Sequence, residues 1–139
     1  MSPYLAEFIG TAILVIFGNG VVANVVLART KGNNSGWIVI TAGWALGVFV
    51  GVFSSQPFSG AHLNPAVTIA MAAAGKLASN QVIGYILAQM LGGVVGAATR
   101  GAIAALAARP GFVALTSLDG RILSAATQGS DVLELKRWL

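Results

Sequence analysis

The sequence predicts an all-α membrane protein with three transmembrane helices plus one re-entrant half-helix. Three observations predict it. Charged residues make up 9% of the chain and hydrophobic ones 56%, whereas soluble domains are about a quarter charged. The charges also leave long uncharged intervals: 21 residues between Glu7 and Arg29, 44 between Lys31 and Lys76, and 23 between Lys76 and Arg100. Finally, a short polar stretch, SGAHLNPAVT (Ser59–Thr68), splits the longest interval. A spanning helix needs about 20 apolar residues. The first and third intervals therefore each fit one span, and the middle one fits a span plus something shorter.

Residues 4–28 read as the first span. They have no basic leader, the apolar run exceeds the ~7–15 residues of a signal peptide, and Glu7 stands near the start. RTKGNNSG (Arg29–Gly36) is a loop of turn formers. Its Asn33-Asn34-Ser35 triplet matches a glycosylation acceptor, relevant only in a eukaryotic secretory setting. Residues 37–54 read as the second span. Gly43, Gly47 and Gly51 recur along one face, where small residues let a neighbouring helix backbone approach.

Pro57, Ser59 and Gly60 disfavour a continuing helix. Asn64-Pro65 reads as a fresh start, because Asn is a strong N-cap and Pro suits the first helical position. By itself the dipeptide is more often a kink in a long helix. The cap, the polar lead-in and the short length together favour a half-helix over 65–75. At 1.5 Å per residue it covers about 16 Å, roughly half of a ~30 Å bilayer core. Gly75 closes it and Lys76 returns the chain to an interface. Residues 79–99 read as the third span. There Gln89 suits a buried interhelical hydrogen bond, and Gly92/Gly96 form a small packing face.

Irregular backbone at membrane depth is tolerated only inside protein or beside a wet cavity. The carbonyls of Gly60, Ala61 and His62 then become acceptors for a passing solute. The half-helix N-terminus contributes partial positive charge, and the Asn64 amide offers N–H donors. Such a site favours neutral hydrogen-bonding solutes and repels cations. Other classes are poorly supported. Cysteine is absent, which excludes disulfides and thiolate metal sites. A single His excludes a His-rich metal cluster, and no cofactor is expected. The basic residues are scattered, which argues against nucleic acid as a partner. Glu7, Asp119, Asp131 and Glu134 form no evident pair around a nucleophile, so no enzyme is expected.

AEFIGT (Ala6–Thr11), GWALGV (Gly43–Val48), SGAHLNPAVT and AQMLGG (Ala88–Gly93) together resemble the first half of a major intrinsic protein, the aquaporin and glycerol-facilitator family. The resemblance covers residues 3–98. It implies one aquaporin-type repeat of two inverted ones, each with a half-helix that begins Asn-Pro-Ala. Asn64, Pro65 and Ala66 match the first such motif, with Asn64 as donor to a water or glycerol oxygen. Gly60, Ala61 and His62 match the carbonyls of the inner vestibule. Glu7 matches a buried carboxylate that braces the re-entrant loop; read alone, it equally suits a helix start, where a negative group favours the dipole. Trp44 matches the aromatic of the outer selectivity filter in glycerol-conducting members, flanked by Gly43 and Gly47; read alone, it suits an interfacial Trp.

The implied function is passive passage of glycerol, other small neutral solutes and water. The implied setting is a lipid bilayer, as a multi-pass protein of the plasma or inner membrane, in a homo-oligomer that is a tetramer in the family. The chain also departs from the family. Pro3, Pro57 and Pro110 do not follow Asn, so there is no second Asn-Pro-Ala. Residues 99–139 read as an Ala-rich non-family tail, the pattern of a truncation or frame change. Arg100 and Arg109 fall at the exit of the third span, where a charge is expensive, so the span is expected to end near Thr99 or to tilt. SDVLELKRWL (Ser130–Leu139) reads as a short amphipathic helix capped by Ser130 or Asp131. The family orientation, with the N-terminus in the cytoplasm, is the expected one, against the positive-inside tendency of the Arg29/Lys31 loop and the basic tail. The alternative function is a non-conducting half-channel, either a remnant or a partner subunit packed against intact channels.

Overall fold

The structure, a computed structural model, describes residues 1–28 and 30–107, with side chains described through Thr99. The expected amphipathic segment 130–139 and the remainder of the tail past 107 lie outside the described residues.

Helix α1 (Pro3–Val26) starts as its sequence dictates. Ser2 caps it, accepting from the Leu5 N–H at 3.2 Å, and Pro3 takes the first turn. The last carbonyls of any helix lack partners within it. Here the loop folds back to supply them. Thr30 Oγ1 donates to the Leu27 carbonyl at 2.7 Å, Asn33 Nδ2 to the same carbonyl at 3.1 Å, and the Asn34 N–H to Val25 O at 2.9 Å.

Helix α2 (Trp37–Ser59) runs past the expected end at residue 54, straight through Pro57. Proline there forfeits the ladder bond to the Phe53 carbonyl and crowds that carbonyl with its ring. The final turn is held from outside: Ser59 Oγ donates to Glu7 Oε1 at 2.6 Å, and Tyr85 Oη donates to the Ser59 carbonyl at 2.9 Å. These tertiary bonds outweigh the local breaker. Gly60 then ends the helix in the left-handed region (φ 82°), which glycine adopts without steric cost.

Helix α3 (Pro65–Ala73) is nine residues long, about 14 Å, two residues shorter than the 65–75 expected. Its end is a Schellman turn: the Lys76 N–H reaches Met71 O at 2.9 Å and the Gly75 N–H reaches Ala72 O at 3.0 Å, with Gly75 at φ 71°. A 3₁₀ turn (Ser79–Gln81) leads into α4 (Val82–Ala107). The helix thus continues past Thr99, and the 3₁₀ turn and α4 together give an apolar stretch of spanning length, Ser79–Thr99.

Among the described residues, α1, α2 and the Ser79–Thr99 stretch are long and apolar enough to cross a membrane. The end of α2 and the start of α4 both lie beside the start of α1, through Ser59–Glu7, Tyr85–Ser59 and the edge-on Tyr4–Tyr85 pair at 5.8 Å. Residues 60–78 therefore leave and return on one side. That makes α3 re-entrant.

The packing is inside-out relative to a soluble domain. Trp37, Ile38 and Phe53 are 80%, 85% and 77% exposed, while the largest fully buried side chains are Gln89, Glu7, Thr68 and Ser55. In lipid there is no hydrophobic drive between helices, so close backbone approach and polar bonds hold them together. Glycines supply the approach. A Cβ on Gly51 would lie 2.8 Å from the Gly10 carbonyl, and one on Gly96 2.7 Å from the Ala12 carbonyl. Gly92 sits on the Phe8 carbonyl in the same way. Helix α1 is thereby gripped by antiparallel α2 and parallel α4.

Candidate functional site

The site begins with Glu7, fully buried on α1. Its carboxylate accepts four hydrogen bonds. Oε1 takes Ser59 Oγ at 2.6 Å and the His62 N–H at 2.8 Å; Oε2 takes the Leu63 N–H at 2.6 Å and Gln89 Nε2 at 2.8 Å. A buried charge is tolerated only when it is fully hydrogen-bonded. Here one carboxylate ties α1, the end of α2, the re-entrant loop and α4 together.

The loop conformation follows from that grip. Ala61 (φ 52°) and Leu63 (φ 50°) are left-handed on either side of His62. That conformation costs a non-glycine residue about 1–2 kcal/mol. It turns successive N–H groups to one side, forming an anion-binding nest, and the anion is Glu7. The Ala61 N–H is taken by Ser59 Oγ at 3.1 Å. With the N–H groups turned inward, the carbonyls of Gly60, Ala61 and His62 accept no hydrogen bond from the described residues.

Asn64 caps α3. Its Oδ1 accepts from the Ala66 N–H at 2.8 Å, and its carbonyl takes the Thr68 N–H at 3.0 Å. With Oδ1 committed to the helix, the Asn64 NH₂ points away on an exposed side chain and donates to none of the described residues. Pro65 and Ala66 form the first turn. The arrangement presents two N–H donors at a helix N-terminus beside a run of free carbonyls. It can bind a neutral group that both donates and accepts hydrogen bonds.

Below the cap, Thr68 Oγ1 receives Gln89 Nε2 at 2.8 Å and lies 3.2 Å from His62 Nδ1. The His62 ring packs against Tyr85, centroids 5.1 Å apart. Gln89 therefore bridges Glu7 to α3. Its amide orientation is set by Glu7, since only the nitrogen can face a carboxylate oxygen. Gln89 Oε1 is left buried without a partner among the described residues, as is Thr11 Oγ1.

The structure brings together Glu7, Gln89, Gly60, Ala61, His62, Asn64, Pro65 and Ala66. Trp44 is elsewhere. It is half-buried on α2, between Gly43 and Gly47, with its ring on Gly18 of α1. Gly18 is eleven residues beyond Glu7 on the same helix, about 16 Å along the axis. Leu63, Thr68, Tyr85 and Gly18 carry no sequence expectation, and Ser59, expected only to disfavour a continuing helix, instead ends α2 and bonds to Glu7. For Tyr85 a signal exists: it precedes Gln89 by four residues, which places both on one helix face. Nothing local marks Gly18.

Residues 1–126 match the sequence model of the Major intrinsic protein family. The chain belongs to the major intrinsic protein family. That match reaches beyond Ala98, where the motif-level resemblance stops. Among relatives, a probable glycerol uptake facilitator protein of Thermotoga maritima is 59% identical over 97 residues, 70% of this chain and 42% of that protein. A glycerol uptake facilitator protein of Streptococcus pneumoniae is 56% identical over 96 residues, 69% of this chain and 41% of that protein. The solved aquaglyceroporin from Plasmodium falciparum superposes with a TM-score of 0.64 at 35% identity, over 72% of this chain and 40% of that one. The chain thus spans about two fifths of the length of these relatives. The fold is one aquaporin-type repeat of a multi-pass integral membrane protein, in a family of channels rather than enzymes.

Proposed function

We propose that this chain forms one half of a passive channel for glycerol, other small neutral solutes and water. The observation that carries the reading is the pairing of the free Asn64 amide with the free carbonyls of Gly60, Ala61 and His62, held by the Glu7 bracket. A hydroxyl or water oxygen accepts from the Asn64 amide while its own O–H donates to a carbonyl. A cation meets the positive end of α3 and cannot accept from the amide. Trp44 borders the path as the solute filter, where a flat apolar face packs a polyol carbon chain. The setting is the plasma or inner membrane, in a homo-oligomer. The names of the relatives support glycerol as a substrate.

One half encloses no path. Conduction by this chain alone therefore requires a second copy inserted in the opposite orientation. Glycerol and water flux into proteoliposomes holding the 139-residue chain tests this, with Asn64→Asp as the comparison. The substitution keeps the cap oxygen and removes both donors. Flux above empty liposomes that drops in Asn64→Asp is the expected result. Flux equal to lipid alone, with the protein shown to be inserted, sinks conduction by this chain and leaves a non-conducting subunit.

A further inference from the structure

The Trp44 indole lies across the α1–α2 contact with its benzo edge on Gly18. A Cβ on Gly18 would sit 2.5 Å from Trp44 Cδ2 and nearer still to Cε3 and Cζ3. Two responses could relieve such a clash: the helices part, or the ring turns. Parting would give up the close α1–α2 packing on either side of Trp44. Gly47 already stands so close that a Cβ there would be 3.0 Å from Phe17 Cβ and 3.4 Å from the Leu14 carbonyl, and one on Gly43 would meet Val21 at 2.6 Å. The ring is the freer element. It is rigid, turns on two torsions, and is only half-buried, so one side of it is open.

We propose that Gly18 is a positioning residue for Trp44. Its missing side chain seats the indole against α1 and so sets how far the ring projects into the path it borders. The consequence for solute choice rests on the reading of Trp44 as a filter. A methyl at Gly18 pushes the ring outward, narrowing the path for a carbon chain before it obstructs water.

The experiment uses the full chain in proteoliposomes, with Trp37→Phe and Trp138→Phe leaving Trp44 as the one tryptophan of three. Gly18 and Gly18→Ala are compared for acrylamide quenching, emission wavelength, and glycerol and water flux. The expected result for Gly18→Ala is a higher quenching constant and red-shifted emission. Glycerol flux is expected to fall about tenfold, equivalent to ~1.4 kcal/mol of barrier, with water flux changed less than about twofold. Unchanged quenching in a chain of undiminished helicity overturns the proposal. Changed quenching with an unmoved glycerol-to-water ratio overturns the consequence for solute choice. If neither form conducts, the conduction reading falls while quenching still decides Gly18. Should Gly18→Ala fail to insert, adding Trp44→Phe decides: recovered insertion supports the ring contact, and no recovery overturns it in favour of plain helix packing.

Discussion

The Gln89 amide nitrogen meets the Glu7 carboxylate at 2.8 Å across 82 residues of sequence, and the same nitrogen lies 2.8 Å from Thr68 Oγ1. One side chain on α4 thus joins the carboxylate on α1 to the half-helix. The carboxylate and the half-helix are positioned as one unit.

Substitution of Glu7 by Gln therefore has an outsized effect. A glutamine keeps one acceptor oxygen and turns an NH₂ toward donors. Two of the four bonds that now end on the carboxylate lose their acceptor. Hydrogen bonds to charged groups contribute about 1.5–3 kcal/mol each, so a loss of about 3 kcal/mol or more is expected. Denaturation in mild detergent, followed by helical circular dichroism, measures it. Stability equal to the parent shows that the carboxylate is not the bracket.

At Gln89, charge matters more than volume. Gln89→Leu removes the two donated bonds and costs about 1–3 kcal/mol through the acceptors left buried. Gln89→Glu sets a second carboxylate against Glu7, so it is expected to be the less stable of the two. The reverse order in a detergent-unfolding comparison contradicts the geometry at Glu7 Oε2.

Adjacent glycines on α4 make a matched pair. Gly92 sits on the Phe8 carbonyl, while a Cβ on Gly93 meets nothing within 4 Å. Gly92→Ala is expected to destabilise by about 1–3 kcal/mol through overpacking. Gly93→Ala is expected to be neutral or to stabilise by up to ~1 kcal/mol through helix propensity. Equal effects at both positions rule out the close α1–α4 approach.

Tyr85 links the end of α2 to α4 through its hydroxyl on the Ser59 carbonyl at 2.9 Å. Tyr85→Phe keeps the edge-on contact with Tyr4 and removes only that bond, so a loss of about 1 kcal/mol is expected. A second consequence is local. Hydrogen exchange of the N–H groups between Phe58 and Leu63 is expected to quicken, because the last turn of α2 beyond Pro57 loses one of its outside ties. Unchanged exchange there assigns the stability of that turn to Ser59–Glu7 alone.

The Asn64 cap separates fold from chemistry. Asn64→Ala removes the bond to the Ala66 N–H and costs about 1 kcal/mol, whereas Asn64→Asp keeps an acceptor there and favours the helix N-terminus. The aspartate form is expected to unfold like the parent and the alanine form earlier. Identical unfolding of the two variants shows that the cap carries no stability.

The solvent, the three spans and the half-helix were legible in the amino-acid sequence. Each rests on local chemistry: a charge-poor chain, uncharged intervals of spanning length, and an Asn-Pro start closed by Gly75. It also singled out Glu7, Asn64 and the small faces at Gly43/Gly47 and Gly92/Gly96. Features that depend on partners distant in sequence emerge only on folding. Helix α2 continues through Pro57 because Glu7 and Tyr85, 52 and 26 residues from Ser59, hold its last turn. The carbonyls of Gly60, Ala61 and His62 accept from none of the described residues, and a carboxylate more than 50 residues away turns the loop by taking the His62 and Leu63 N–H groups. Gly18 matters only because the Trp44 ring crosses it. Propensity and capping act over a few residues and leave a local signature, whereas a hydrogen bond between helices leaves none until the chain has folded.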